Sequence, residues 1–262
     1  MHKRKIPVVL ALILSIGLFV YFVYPGKTAC KAEFKNFRQE IKSLIDPPIL
    51  QPRDSVEKFK ELSSRYSGIE IDVIFHQNAK KFESSHDPVS LKDFPIEKIL
   101  SAYKEAGSQQ FIWLDFKNLS ELNQVDSLEE LKRLVTLYEI QPSKVWVESK
   151  SYKHLKLFKN ARFKTSYYFP YYDFNQMKPI EIDRVKEKTL NIVQSGSVDA
   201  ISFFGNYFDF IKSVNLPKNI RILMWFDGIN RKDFETSTFG KSILADPTVE
   251  AVLVREKGKY HR

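Results

Sequence analysis

One cysteine, Cys30, is all the chain carries, so no intramolecular disulfide can form and cysteine usage does not assign a compartment. No glycine-rich turn follows an early strand, which removes the usual phosphate cradle of a dinucleotide-binding sheet. Cys/His spacing of zinc-finger type, arginine-rich blocks, fixed-period repeats and low-complexity tracts are all missing. What is there is ample for a packed core: 262 residues, 43% hydrophobic and 14% aromatic. The formal charge of +9 comes from lysines scattered over many segments and reads as a solvated basic surface. No nucleic-acid partner is expected. Attraction to anionic lipid or to a phosphate-bearing substrate fits the same charge.

At the amino terminus, His2-Lys3-Arg4-Lys5 precedes an uncharged run from Ile6 to Tyr24. Those 19 residues, as a helix rising about 1.5 Å each, nearly cross a bilayer core of about 30 Å. The basic flank should stay in the cytoplasm, which sends the remainder to the extracytoplasmic side of a single-pass membrane protein. A cleaved signal peptide is the alternative, although small-x-small cleavage spacing is poor. The expected organisation is therefore a flank and signal anchor over residues 1–29, a linker with a short helix over 30–46, and one folded domain over 47–262.

Within that domain, short apolar runs alternate with amphipathic stretches. Ile49-Leu50, Gly68–Phe75, Phe111–Phe116, Lys144–Glu148, Phe163–Phe169, Ala200–Phe204, Arg221–Phe226 and Val249–Val254 read as strands. Helices are expected over Pro95–Ala106, Leu128–Tyr138, Ser151–Lys159, Ile180–Gln194, Tyr207–Val214 and Lys232–Ala245, and a loop over His76–Asp93. Eight strands alternating with helices imply parallel pairing through crossovers, and about 215 residues suit a closed (β/α)8 TIM barrel of the α/β class. A doubly wound open sheet is the competitor.

The run Gly-Ile-Glu-Ile-Asp-Val-Ile-Phe at Gly68–Phe75 organises the rest. Alternation puts Ile69, Ile71 and Val73 on one face and Glu70 and Asp72 on the other. Two acids on so apolar a strand are costly unless something positive lies between them, and hard divalent cations take carboxylate oxygens. An edge strand with its acids in water is the plainer alternative. Catalytic groups of a barrel come from the carboxyl ends of several strands. Asp115 and Lys117 share a face at such an end, Glu148 ends the next strand, and Ser166, Tyr168 and Trp225 follow near later ends. His86, in the loop after the acidic strand, suits acid–base or nucleophilic work, with His76 as the alternative.

Gly68-Ile-Glu70-Ile-Asp72, Ser85-His86-Asp87-Pro88 and Trp113-Leu-Asp115-Phe-Lys117-Asn118 together resemble the glycerophosphodiester phosphodiesterase-like superfamily of phospholipase-C-like barrels. Val147-Glu148-Ser149, Ser166-Tyr167-Tyr168-Phe169-Pro170 and Val252-Leu-Val-Arg255 are similar to its menorin-like branch. The resemblance implies that Glu70, Asp72 and Asp115 hold one Mg²⁺ or Ca²⁺. It implies that Lys117 neutralises a phosphate oxygen and that His86 is one of two catalytic histidines. Arg53, Glu148, Tyr168 and Trp225 are expected to contact substrate, Trp225 as a wall of the cleft. The second histidine of the family stands directly before an arginine at the end of the first strand. Here that arginine is Arg53, and Pro52 precedes it.

Two functions follow as expectations. One is a membrane-anchored, metal-dependent phosphodiester hydrolase acting on a glycerophosphodiester or lipid head group. The other is a non-catalytic barrel, a pseudoenzyme that binds phosphate or sugar as a scaffold. Three acids, Lys117 and His86 together favour the first, and Pro52 in the histidine's place favours the second.

Overall fold

The structure is a computed structural model, and it describes residues 66–85, 94–107, 110–226 and 231–254. Its centre is an eight-stranded sheet in the order β2-β1-β3-β4-β5-β6-β7-β8. The strands are β1 (Gly68–His76), β2 (Lys81–Ser84), β3 (Phe111–Phe116), β4 (Val145–Ser149), β5 (Lys164–Tyr168), β6 (Ala200–Phe204), β7 (Arg221–Trp225) and β8 (Val249–Leu253). Seven of them run parallel, as the alternation of strands and helices requires. The expected loop over His76–Asp93 is corrected in its first part. Lys81–Ser84 turns back on β1 through residues 77–80 and pairs antiparallel, from Val73↔Ser84 to His76↔Lys81.

The helices are α1 (Glu97–Glu105), α2 (Gln124–Leu137), α3 (Tyr152–Asn160), α4 (Pro179–Gln194), α5 (Phe208–Lys212), α6 (Arg231–Thr236) and α7 (Thr238–Leu244). Their starts have local causes. Pro179 opens α4 with its φ preset, and Glu181 accepts the Lys178 N–H at 2.7 Å. The single helix expected over Lys232–Ala245 is two: Ser237 leaves helical geometry and its hydroxyl accepts from Gly240 N at 2.8 Å, capping α7. The helix expected from Leu128 begins at Gln124, where Asn123 ties down the preceding turn.

Two apolar layers separate cleanly by strand parity. Ile69, Ile71, Val73, Ile112, Leu114, Phe116, Val145 and Val147 face the helices and join the main core. Leu131, Leu134 and Val135 of α2 meet them there, each burial stabilising by roughly 1.5–3 kcal/mol. The other face carries a smaller cluster, Trp113, Trp146, Ala200 and Leu223, with Trp225 and Ala251 packed on it. Strands lie about 4.8 Å apart, so a flat sheet would hold β3 and β7 nearly 20 Å from each other. Side chains of β3, β6, β7 and β8 meet in one cluster because the sheet curls into a half-barrel with these residues inside.

β8 and β1 approach without pairing among the described residues, and a cavity of about 220 Å³ lies between them, lined by Gly68, Glu70, Trp113, Ala251 and Leu253 among others. The apolar run Ile6–Tyr24, Ile49-Leu50, Arg53 and His86 lie outside the described residues. Among the described residues no helix is long and apolar enough to cross a membrane.

Candidate active site

Parallel register places Asp72 of β1 beside Asp115 of β3, and Asp115 beside Glu148 of β4. Glu70 lies two residues before Asp72 on the same face. One oxygen each from Glu70, Asp72 and Asp115 falls within 4.8 Å of the others. These acids are not in water: Glu70 is 6% and Asp72 8% exposed, which rules out the wet edge strand. Lys117 reaches back over the group. Its Nζ lies 2.6 Å from Asp72 Oδ1 and also pairs with Asp115. Burial by itself would lower the Lys117 ammonium; Asp115 and Asp72 outweigh it and hold it well above the ordinary lysine range.

The backbone around Lys117 is fixed from three sides. Lys117 N donates to Val73 O at 3.0 Å. Asn118 clamps Phe75 twice, accepting from its N–H and donating to its carbonyl, both at 2.9 Å. Asn123 donates to Asn118 O at 2.8 Å. Asn118 was visible in the motif, but its clamp is a long-range contact that local spacing does not reveal.

Glu148 is 1% exposed and accepts from Trp113 Nε1 at 3.0 Å. Burial, and then the neighbouring Asp115, push its carboxyl well above the usual range. Trp113 and Ser202 oppose this shift by stabilising the charged carboxylate, and burial prevails. The Ser166 hydroxyl, on the register partner of Glu148, is buried with no hydrogen-bond partner among the described residues.

Further along the same inner face, Tyr168 stacks on Trp225 with centroids 5.1 Å apart, and Lys150 Nζ lies 4.8 Å from the Tyr168 ring centroid. Lys150 had no place in the sequence reading. His76 Nε2 lies 2.7 Å from Glu83 Oε2 across the β1–β2 hairpin. Ser85 N donates to Asp72 O at 3.2 Å and Ser84 N to Phe94 O at 2.8 Å, which holds Ser85 against the acidic strand.

No protein-family model matches the sequence, and no curated protein matches it. Solved structures do. A Galdieria sulphuraria protein assigned as a glycerophosphodiester phosphodiesterase superposes with a TM-score of 0.55 at 16% identity, over 78% of this chain and 88% of its own. The chain shares that protein's fold. A glycerophosphodiester phosphodiesterase from Thermotoga maritima aligns at a TM-score of 0.47 and 14% identity, over 76% of this chain and 87% of its own. An Oleispira antarctica phosphodiesterase, solved with its product sn-glycerol-3-phosphate, aligns at 0.49 and 10% identity, over 84% and 94%.

The site also passes a test of donor chemistry. A hard divalent cation takes oxygen ligands at about 2.0–2.6 Å, so two oxygens on one ion lie up to about 5 Å apart. The three carboxylate oxygens meet that condition. With Lys117 they leave two negative charges for a divalent ion to neutralise.

Proposed function

We propose that the protein is a divalent-cation-dependent phosphodiester hydrolase of glycerophosphodiester phosphodiesterase type. The observation that carries this reading is the convergence of Glu70 and Asp72 of β1 with Asp115 and Lys117 at the carboxyl end of β3. Glu70, Asp72 and Asp115 would hold Mg²⁺ or Ca²⁺, which when bound draws charge from phosphate oxygens. Lys117, held charged and positioned by Asn118 and Asn123, supplies a fixed cation where charge grows on a non-bridging oxygen. His86 moves a proton at the ester oxygen. It follows directly on Ser85, whose N–H is bonded to the Asp72 carbonyl, and that contact supports its place beside the acids.

The same reading closes the barrel. Among the described residues the β1 edge from Gly68 to Ile71 lacks a strand on the side opposite β3, and the cavity beside β8 supports one there. Ile49-Leu50 is the apolar piece available, and it would carry Arg53 toward the mouth to contact substrate with Trp225. The run Ile6–Tyr24 would anchor the barrel on the extracytoplasmic face of a membrane, near lipid-derived diesters. Pro52 supports a second reading, a barrel that binds phosphate without turnover, because a proline cannot carry a proton.

Hydrolysis of glycerophosphocholine, glycerophosphoinositol and a chromogenic phosphodiester, with Mg²⁺, Ca²⁺ or EDTA, tests the proposal. Cation-dependent turnover that disappears in His86→Ala is expected. Cation binding without turnover of any diester would establish the scaffold instead, and turnover indifferent to EDTA would overturn the metal-dependent reading.

A further inference from the structure

The acids are not the only residues the sheet sets side by side. Asp115, Glu148 and Ser166 are register partners on β3, β4 and β5. Two residues further along each segment stand Lys117, Lys150 and Tyr168, on the same face by alternation. Ser149 fixes the segment that carries Lys150: its hydroxyl donates to Phe116 O at 3.1 Å and accepts from Ser151 N at 3.2 Å. A second row, of two lysines and a tyrosine, therefore lies one step past the acids toward the open end.

Lys117 is committed to Asp72 and Asp115. Lys150 is differently placed. It is exposed, its ammonium rests over the Tyr168 ring, and among the described residues no carboxylate pairs with it. Tyr168 in turn is stacked on Trp225, the planes inclined by 27°. A bare aromatic pair beside a phosphate site would attract a quaternary ammonium group to its face. Here the chain's own ammonium takes that part.

Resting on the hydrolase reading above, we infer that Lys150, Tyr168 and Trp225 receive the alcohol half of the diester. We infer also that Lys150 selects a head group bearing its own anionic group over one bearing a quaternary ammonium. The physical reason is charge order. A cationic head group entering along the Tyr168–Trp225 shelf meets Lys150 and, one strand away, Lys117. An anionic group meets an ammonium on a flexible four-carbon stem, free to swing from the ring and donate to phosphate or carboxylate oxygens. The aromatic shelf then packs the uncharged carbon frame of the head group.

The test compares glycerophosphoinositol 4-phosphate with glycerophosphocholine in wild type, Lys150→Glu and Lys153→Glu. Lys153 is an exposed lysine of α3 three residues further on, and it controls for charge acting at long range. Wild type should favour the anionic diester at least tenfold in kcat/KM. Lys150→Glu should bring that ratio below one, and Lys153→Glu should leave it within twofold. Binding of the same two ligands to His86→Ala protein, read by equilibrium dialysis, should show the same order. A preference for the choline diester, a ratio unmoved in Lys150→Glu, or an equal change in Lys153→Glu would overturn the inference. Selective binding with no turnover of any diester would remove the hydrolase reading and leave this inference standing; binding of neither ligand would overturn it.

Discussion

Replacing Lys117 with methionine keeps most of the side-chain volume and removes a cation that pairs with both Asp72 and Asp115. The two carboxylates are 11% and 14% exposed and Lys117 itself 23%, so water can do little to screen what is left. Carboxylate oxygens lying within 4.8 Å of each other repel by about 3.5 kcal/mol per pair at an effective dielectric near 20. Removing one partner of a buried pair typically costs about 3–5 kcal/mol. Lys117→Met in EDTA should therefore lose about 3–5 kcal/mol, a fall of roughly 2 M in the urea midpoint for a slope near 2 kcal/mol/M. Mg²⁺ or Ca²⁺ at a hundred times its dissociation constant should return about 2.7 kcal/mol, because the ion binds only the folded cluster. The measurement is urea unfolding followed by tryptophan fluorescence, with and without cation. A variant as stable as wild type in EDTA, or one that no divalent ion stabilises, would refute the electrostatic reasoning.

Glu148→Gln should fold, with its amide oxygen accepting from Trp113 Nε1 as the carboxyl does. A carboxyl raised in the folded state binds a proton that the unfolded chain releases above about pH 4.3, so wild-type stability falls as pH rises. Relative to wild type, the glutamine variant should gain about 1.4 kcal/mol per pH unit above that value, until the folded carboxyl ionises; urea unfolding across pH checks this, and a constant difference would contradict the proton on Glu148. A Cβ at Gly205 would lie 1.9 Å from Phe226 Cε1, so Gly205→Ala should cost about 1–3 kcal/mol by overpacking, seen as a lower melting temperature. Asp246 is held down to about 2, burial opposing and Lys212 and Thr248 prevailing. A depressed carboxyl stabilises above its unfolded value and loses that contribution as pH falls toward 2. With Lys212 41% exposed, Asp246→Asn should cost only about 1 kcal/mol at pH 7 and nothing near pH 2, by urea unfolding at the two values.

The sequence carried the acidic strand plainly, because Glu70 and Asp72 interrupt a β-branched run at a period of two, and Asp115 and Lys117 repeat that parity on the neighbouring strand. The parallel strands were legible for the same reason: short apolar runs separated by amphipathic helices. β2 was not. Lys-Phe-Glu-Ser offers one apolar residue, and only its pairing with Val73–His76 makes it a strand. Nor could the break between α6 and α7 be read, since it rests on one serine cap. Glu148 stood out as an acid at a strand end, yet its raised carboxyl depends on full burial inside the curled sheet and on Asp115, 33 positions away in the chain. Lys150 looked like one solvated lysine among many until the curl of the sheet set Tyr168 and Trp225 beside it.

Calorimetric titration of Mg²⁺ and Ca²⁺ into the wild-type protein and into Asp72→Asn and Asp115→Asn puts the carboxylate cluster to the most direct trial. One divalent ion per chain should bind wild type, and each amide substitution should weaken it at least tenfold, with diester hydrolysis falling in step. Absence of binding by wild type, or equal affinity in all three proteins, would contradict a metal site built from Glu70, Asp72 and Asp115.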